Sequence, residues 1–164
     1  MKYPIGIQSF EKLRKERFLY VDKTKYIYEL VDQGVYYFLS RPRRFGKSLL
    51  ISTIEAYFQG KKELFDGLAI KEEEKDWKQY PIFHIDLNTA NFREEGSLYI
   101  LLNDYLDKWE SIYGTRSSEN TLALRFKGII ERAAEKEGRN VVILIDEYDK
   151  PILQTLRNPE LQEK

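Results

Sequence analysis

The stretch Val141-Val142-Ile143-Leu144-Ile145 constrains the fold more than any other part of this chain. It is continuous, β-branched and closed by polar turn residues, which predicts a strand buried on both faces. Such strands belong to parallel sheets, whose long crossover connections lay helices over the faces. Matching pieces occur elsewhere. Val35 to Leu39 is a second apolar run of strand length, and Ile82 to Leu87, opened by Pro81, is a third with a partly alternating pattern. Between them the spacing turns helical. Ile27, Leu30 and Val31 share one face before Gly34, after an extended run at Phe18 to Val21. Leu50, Ile54, Tyr57 and Phe58 define a helix from about Lys47 to Gly60. Leu98, Leu101, Leu102, Tyr105, Trp109 and Ile112 mark a long amphipathic helix, and Leu122, Phe126, Ile129, Ile130 and Ala133 another, ended by Gly138. Residues 61–80 read as a short helical piece around Leu64-Phe65 and a charged connector whose Glu72-Glu73-Glu74 run is a solvated face. The alternation predicts an α/β class with a parallel sheet.

At 164 residues, with no repeat, low-complexity tract or flexible linker, the chain is expected to form a single domain over 1–164. A domain of that length buries roughly 70% of its unfolded surface without disulfides or structural metals. The absence of cysteine excludes disulfide frameworks, thiolate nucleophiles and Cys-ligated metal centres, and the single histidine excludes sites that need two. No apolar run approaches the ~20 residues of a spanning helix, so no membrane partner is expected. The start of the chain lacks the apolar core of a secretory signal, which makes the cytoplasm the compatible compartment. Basic and acidic residues balance at 27 each, against a chain-wide nucleic-acid surface. The balance hides a gradient, with 11 basic and 5 acidic side chains in residues 1–50. Much of that excess sits at Arg41, Arg43, Arg44 and Lys47, where it suggests a local anion site.

Chemistry concentrates in two places. The first is Ser40-Arg41-Pro42-Arg43-Arg44-Phe45-Gly46-Lys47-Ser48, between a predicted strand and a predicted helix. Backbone N–H groups and the positive helix terminus at such a position cradle a polyphosphate. The Lys47 ammonium can reach the β and γ phosphates, and the Ser48 hydroxyl can ligate Mg²⁺. Against the pattern G-x-x-x-x-G-K-[ST] the loop is degenerate, because Arg41 stands at the first glycine and Pro42 follows. Arg41, Arg43 and Arg44 add charge around the phosphates in one reading and are solvated or paired with carboxylates in the other. Gly-Lys-Ser alone is a common polar helix start, so its context carries the assignment.

The second place is Asp146-Glu147, where the aliphatic run ends. Carboxylates at the C-terminal edge of parallel strands face the crevice in which open α/β sheets bind ligands. Asp146 would share Mg²⁺ with Ser48, and Glu147 would orient and deprotonate an attacking water. The competing reading is a turn in which Asp146-Glu147-Tyr148-Asp149 caps the helix opened near Pro151, a role assigned to Asp149.

Five separated blocks resemble the AAA-ATPase-like domain family of prokaryotic P-loop proteins: Tyr3 to Ile7, Tyr20 to Thr24, Phe38 to Ser48, Glu63 to Leu68 and Leu144 to Pro151. They agree in order, arginine-rich loop included, so the missing first glycine is a feature of the resembled family. The resemblance implies a three-layer P-loop NTPase sandwich (AAA-like, ASCE) with ATP and Mg²⁺ as cofactors. Gly46, Lys47 and Ser48 match Walker A, flanked by Arg43, Arg44, Phe45 and Leu49 as nucleotide-binding positions, and Asp146 and Glu147 match Walker B. Residues 1–34 would be an N-terminal arm and helix, and 35–164 the P-loop core through Walker B. In the implied fold a sensor strand lies between the loop-bearing and Walker B strands, and longer members continue into a PD-(D/E)xK nuclease-like domain. Here the chain is expected to be truncated after Walker B, its sheet gap filled by a missing C-terminal part or a second copy.

The expected activity is MgATP hydrolysis with Lys47 and Glu147 as catalytic residues. The alternative is a nucleotide-dependent interaction module that binds without turnover. Nucleic-acid binding through the basic first fifty residues is a third reading. His84 reads as a structural strand histidine and Asp86 as a residue near the crevice. Tyr20, Asp22 and Thr24 are either base contacts or a helix cap.

Overall fold

The computed structural model describes residues 2–40, 42 and 44–156. The chain divides into two compact units, Met1–Tyr80 and Pro81–Lys164. The described residues form a mixed α/β structure with a parallel two-stranded sheet.

The first unit is helical. Helix α1 (Phe10–Lys15) opens on Ser9, whose hydroxyl accepts from the Lys12 amide. Helix α2 (Thr24–Gln33) is preceded by Asp22, which accepts from the Thr24 amide and hydroxyl. The second carboxylate oxygen takes the Ala69 amide at 2.8 Å, and the Thr24 hydroxyl takes the Ile70 amide at 3.1 Å. These bonds tie the start of α2 to α4 (Ile70–Glu73), and Thr24 is fully buried. Burial pushes the Asp22 carboxyl up, but the bonds from Ala69 and Thr24 prevail and hold it below its usual range. Asp22 and Thr24 therefore serve the start of α2 and its tie to α4, while the N-cap position itself is held by Lys23 with no side-chain cap bond. Tyr20 packs edge-on against Phe10 at 5.1 Å, beside the core. Helix α3 (Lys47–Phe58) is followed by a 3₁₀ turn at Lys62–Phe65, matching the expected piece around Leu64-Phe65. Phe10, Ile27, Ala56, Tyr57, Phe65, Ile70 and Trp77 form the core. Glu74 is not simply part of a solvated run, since it accepts from the Tyr57 hydroxyl and the Asp76 amide.

Residues 35–39 correct the sequence reading. They form no strand and lie outside the sheet, with Val35, Tyr36 and Phe38 exposed at 84%, 94% and 73%. The physical reason is that a strand needs an edge to pair with. Among the described residues of this unit, the β-pairing is the single bridge Lys2–Phe18.

The second unit holds β1 (Ile82–Asp86) and β2 (Val142–Asp146), paired in parallel from Ile82 opposite Val142 to Asp86 opposite Asp146. Helices α5 (Ser97–Tyr113) and α6 (Leu122–Glu137) make the crossover and cover the sheet. Thr121 caps α6 through the Leu124 amide, and Gly138 ends it at φ 62°, the left-handed value that a C-terminal glycine adopts at no steric cost. Phe83 stacks on Trp109 at 4.5 Å, and Phe83, Ile85, Leu106, Trp109, Ile129 and Ala133 form the core. β2 differs from the expected fully buried strand, because Ile143 and Ile145 are 41% and 46% exposed. The helical cover centres on β1, and β2 is bordered by β1 alone among the described residues. Helix α7 (Lys150–Thr155), with Pro151 in its first turn, follows β2.

Candidate functional site

In the first unit, α3 fixes the loop in front of it. The Ser52 hydroxyl accepts the Phe10 amide at 2.8 Å, and the Thr53 hydroxyl donates to the Leu49 carbonyl at 2.7 Å. Thr53 is fully buried, and Leu49 packs partly buried against the core. Gly46 is the N-cap residue at φ 75°, in the left-handed region where a Cβ would be strained, and among the described residues no side chain caps the helix. The first intrahelical bond runs from the Leu50 amide to the Gly46 carbonyl at 2.9 Å. The amides of Lys47, Ser48 and Leu49 therefore have no intrahelical acceptor and face an anion-favouring terminus. Lys47 is half-buried, with no salt bridge among the described residues, and Ser48 is half-buried beside it. Phe45 is exposed. Arg44 sits at φ 68°, unusual for a residue with a side chain. Arg41 and Arg43, expected to add phosphate charge, lie outside the described residues.

The second unit carries the acidic half. Asp146 is 93% buried at the C-terminal end of β2, its Oδ1 accepting from the Glu147 amide at 2.9 Å. Glu147 adopts φ 53°, a left-handed value that costs about 1–3 kcal/mol in a non-glycine residue and recurs at functional turns. The Lys150 amide donates back to the Glu147 carbonyl at 2.9 Å, closing the turn. Asp86 stands opposite Asp146 at the same sheet edge, its carboxylate accepting from the Asn88 amide. Asp149 occupies the N-cap position of α7 as expected, but makes no side-chain cap bond. Among the described residues, no cluster of three or more His, Asp or Glu could hold a metal alone. One acidic residue plus a hydroxyl and ligand phosphates is the sparser arrangement that Mg²⁺ accepts.

Of the sequence-predicted residues, Arg44, Phe45, Gly46, Lys47, Ser48 and Leu49 come together in one unit, and Asp146 and Glu147 in the other. A cavity of about 210 Å³ in the first unit is lined by Tyr28, Tyr57, Glu74, Lys78 and neighbours, and contains none of the loop residues. Sequence reasoning missed Lys150. Its Nζ donates to the carbonyls of Asn88 at 2.6 Å and Ala90 at 3.0 Å. The available signal was its position: a cation in the first turn of a helix opposes the macrodipole and calls for another partner.

Residues 4–164 match the AAA-ATPase-like family model, described as a predicted AAA-ATPase, and the chain belongs to that family. It is 40% identical over 162 residues to the "Uncharacterized protein in vnfD 5'region" of Azotobacter chroococcum mcd 1. That match covers 98% of this chain and 31% of the relative, so the chain spans about a third of the relative's length. No solved structure matches. Among the described residues, no helix is long and apolar enough to cross a membrane.

Proposed function

We propose that this chain is a P-loop ATPase domain. The observation that carries the reading is the start of α3, an uncapped helix terminus on a left-handed glycine, with a lysine and a serine as its first residues. Its donors fit a polyphosphate, and the family makes ATP the expected one. The amides of Lys47, Ser48 and Leu49 bind phosphate oxygens, the Lys47 ammonium neutralises the terminal phosphates, and Arg44 and Phe45 flank them. Ser48 and Asp146 would hold Mg²⁺, which offsets phosphate charge when bound. Glu147, projected from a turn that a side-chain residue enters only at a cost, takes the proton of the attacking water. ADP and phosphate leave.

A titration calorimetry series tests this reading. The chain should bind ATP more tightly with Mg²⁺, Lys47→Ala should weaken binding at least tenfold, and Glu147→Gln should retain binding while abolishing phosphate release. Unchanged binding in Lys47→Ala removes the loop from the site. Exposure of the apolar residues 35–39 favours a second reading, a module that binds nucleotide without turnover until further strands, from a longer polypeptide or a second copy, pair with that run. Binding with no phosphate release by the wild-type chain selects it.

A further inference from the structure

The turn after β2 is held by a residue that the hydrolytic scheme does not use. Lys150 lies at the first position of α7, yet its side chain turns back across 60 and 62 residues of sequence to bond the Ala90 and Asn88 carbonyls. The ammonium also lies 6.0 Å from the centre of the Phe92 ring. One turn further along α7, Gln154 accepts the Phe92 amide at 2.8 Å. The same lysine's backbone amide bonds the Glu147 carbonyl, so one residue grips both the strained turn and the loop that leaves β1. That loop begins at Asp86, opposite Asp146, and is braced by the Thr89 hydroxyl on the Asp86 carbonyl and by the Tyr105 hydroxyl, which accepts the Asp86 amide.

A charge-assisted grip of this kind is stronger than neutral hydrogen bonds and directional enough to select one turn geometry. The backbone bonds of Glu147, from its amide to Asp146 Oδ1 and from the Lys150 amide to its carbonyl, both lie within the turn, so the Lys150 ammonium and Gln154 are what tie that turn and α7 to the post-β1 loop. We infer that Lys150 is a positioning residue: by clamping the post-β1 loop to the start of α7, it holds the Glu147 carboxylate in the geometry for proton abstraction. This rests on the ATPase reading, in which Glu147 is the base. It assigns Lys150 no contact with nucleotide.

The test uses the whole chain and the variants Lys150→Met, which keeps the aliphatic stem, and Lys150→Arg, which keeps the donors. Hydrogen exchange reads the clamp without any need for turnover. In Lys150→Met, amides of residues 88–92 and 147–150 should exchange at least tenfold faster together, while the β1 and β2 amides stay protected, which also shows that the variant is folded. Steady-state kinetics then reads the consequence. Lys150→Met should lower kcat at least tenfold with KM for ATP and calorimetric affinity within threefold, and Lys150→Arg should recover most of kcat. Faster exchange at 88–92 alone, an effect on KM with kcat intact, or equal loss in the Arg and Met variants overturns the assignment. A wild-type chain that binds no ATP overturns the underlying reading and the catalytic part of the proposal, while the exchange result still decides whether Lys150 couples the two segments.

Discussion

The two units contain apolar runs of the same length, the aromatic-rich Val35 to Leu39 and the aliphatic Val141 to Ile145, and only the second becomes a strand of the sheet. Val142–Asp146 pairs along its length with Ile82–Asp86 and presents Asp146 at a defined, buried edge position. Residues 35–39 form no strand and stay exposed, although the helix that follows them starts where the sequence says it should. A strand is a property of a pair, because its backbone donors and acceptors are satisfied only by a neighbour. A helix satisfies its own backbone, so α3 and its left-handed N-cap Gly46 form whether or not residues 35–39 are paired.

Substitutions in the paired strands and in residues 35–39 should therefore differ most. Phe83 stacks on Trp109 in the core of the paired unit, so Phe83→Ala is expected to cost about 3–5 kcal/mol, measured by urea unfolding. Tyr36→Ala, at a residue 94% exposed, should change stability by no more than about 0.5 kcal/mol in the same experiment. A large loss in Tyr36→Ala would mean that the run is paired in solution, and the contrast between the units would disappear.

A smaller effect tests whether the first unit draws its order from the bonds at the start of α2. Thr24 is fully buried, donates to Asp22 and accepts the Ile70 amide, so Thr24→Val leaves that amide without its partner and should cost about 1–3 kcal/mol. Acid should expose a weaker dependence. Lys15 and then Lys61 hold the Glu11 carboxyl at about 2, below its ordinary 4.5. A lowered folded pKa means that this contribution is fully present above about pH 4.5 and lost as the pH falls toward 2. Glu11→Gln should accordingly lose a little Tm at pH 6 and match the wild type near pH 2. Since the pair is solvent-facing, 0.5 M salt should shrink the difference.

Helix positions and several of their ends were legible because they depend on local chemistry: Gly138 ends α6, and the Gly46-Lys47 step starts α3. The adjacency of Asp86 and Asp146 required the register of a parallel pair, which neither segment states alone. The burial of β2 was over-read, since a continuous apolar run reports suitability for a two-sided interior and not whether both sides are covered. Lys150 was hidden for a similar reason. Its partners are carbonyls, which every residue possesses, and they lie in a loop far away in sequence.

The central claim is that the start of α3 binds the phosphates of ATP, and calorimetric titration of the wild-type chain and Lys47→Ala with MgATP tests it most directly. The account predicts saturable binding by the wild type and an affinity at least tenfold weaker in the folded variant. Equal affinity in the two proteins would contradict it.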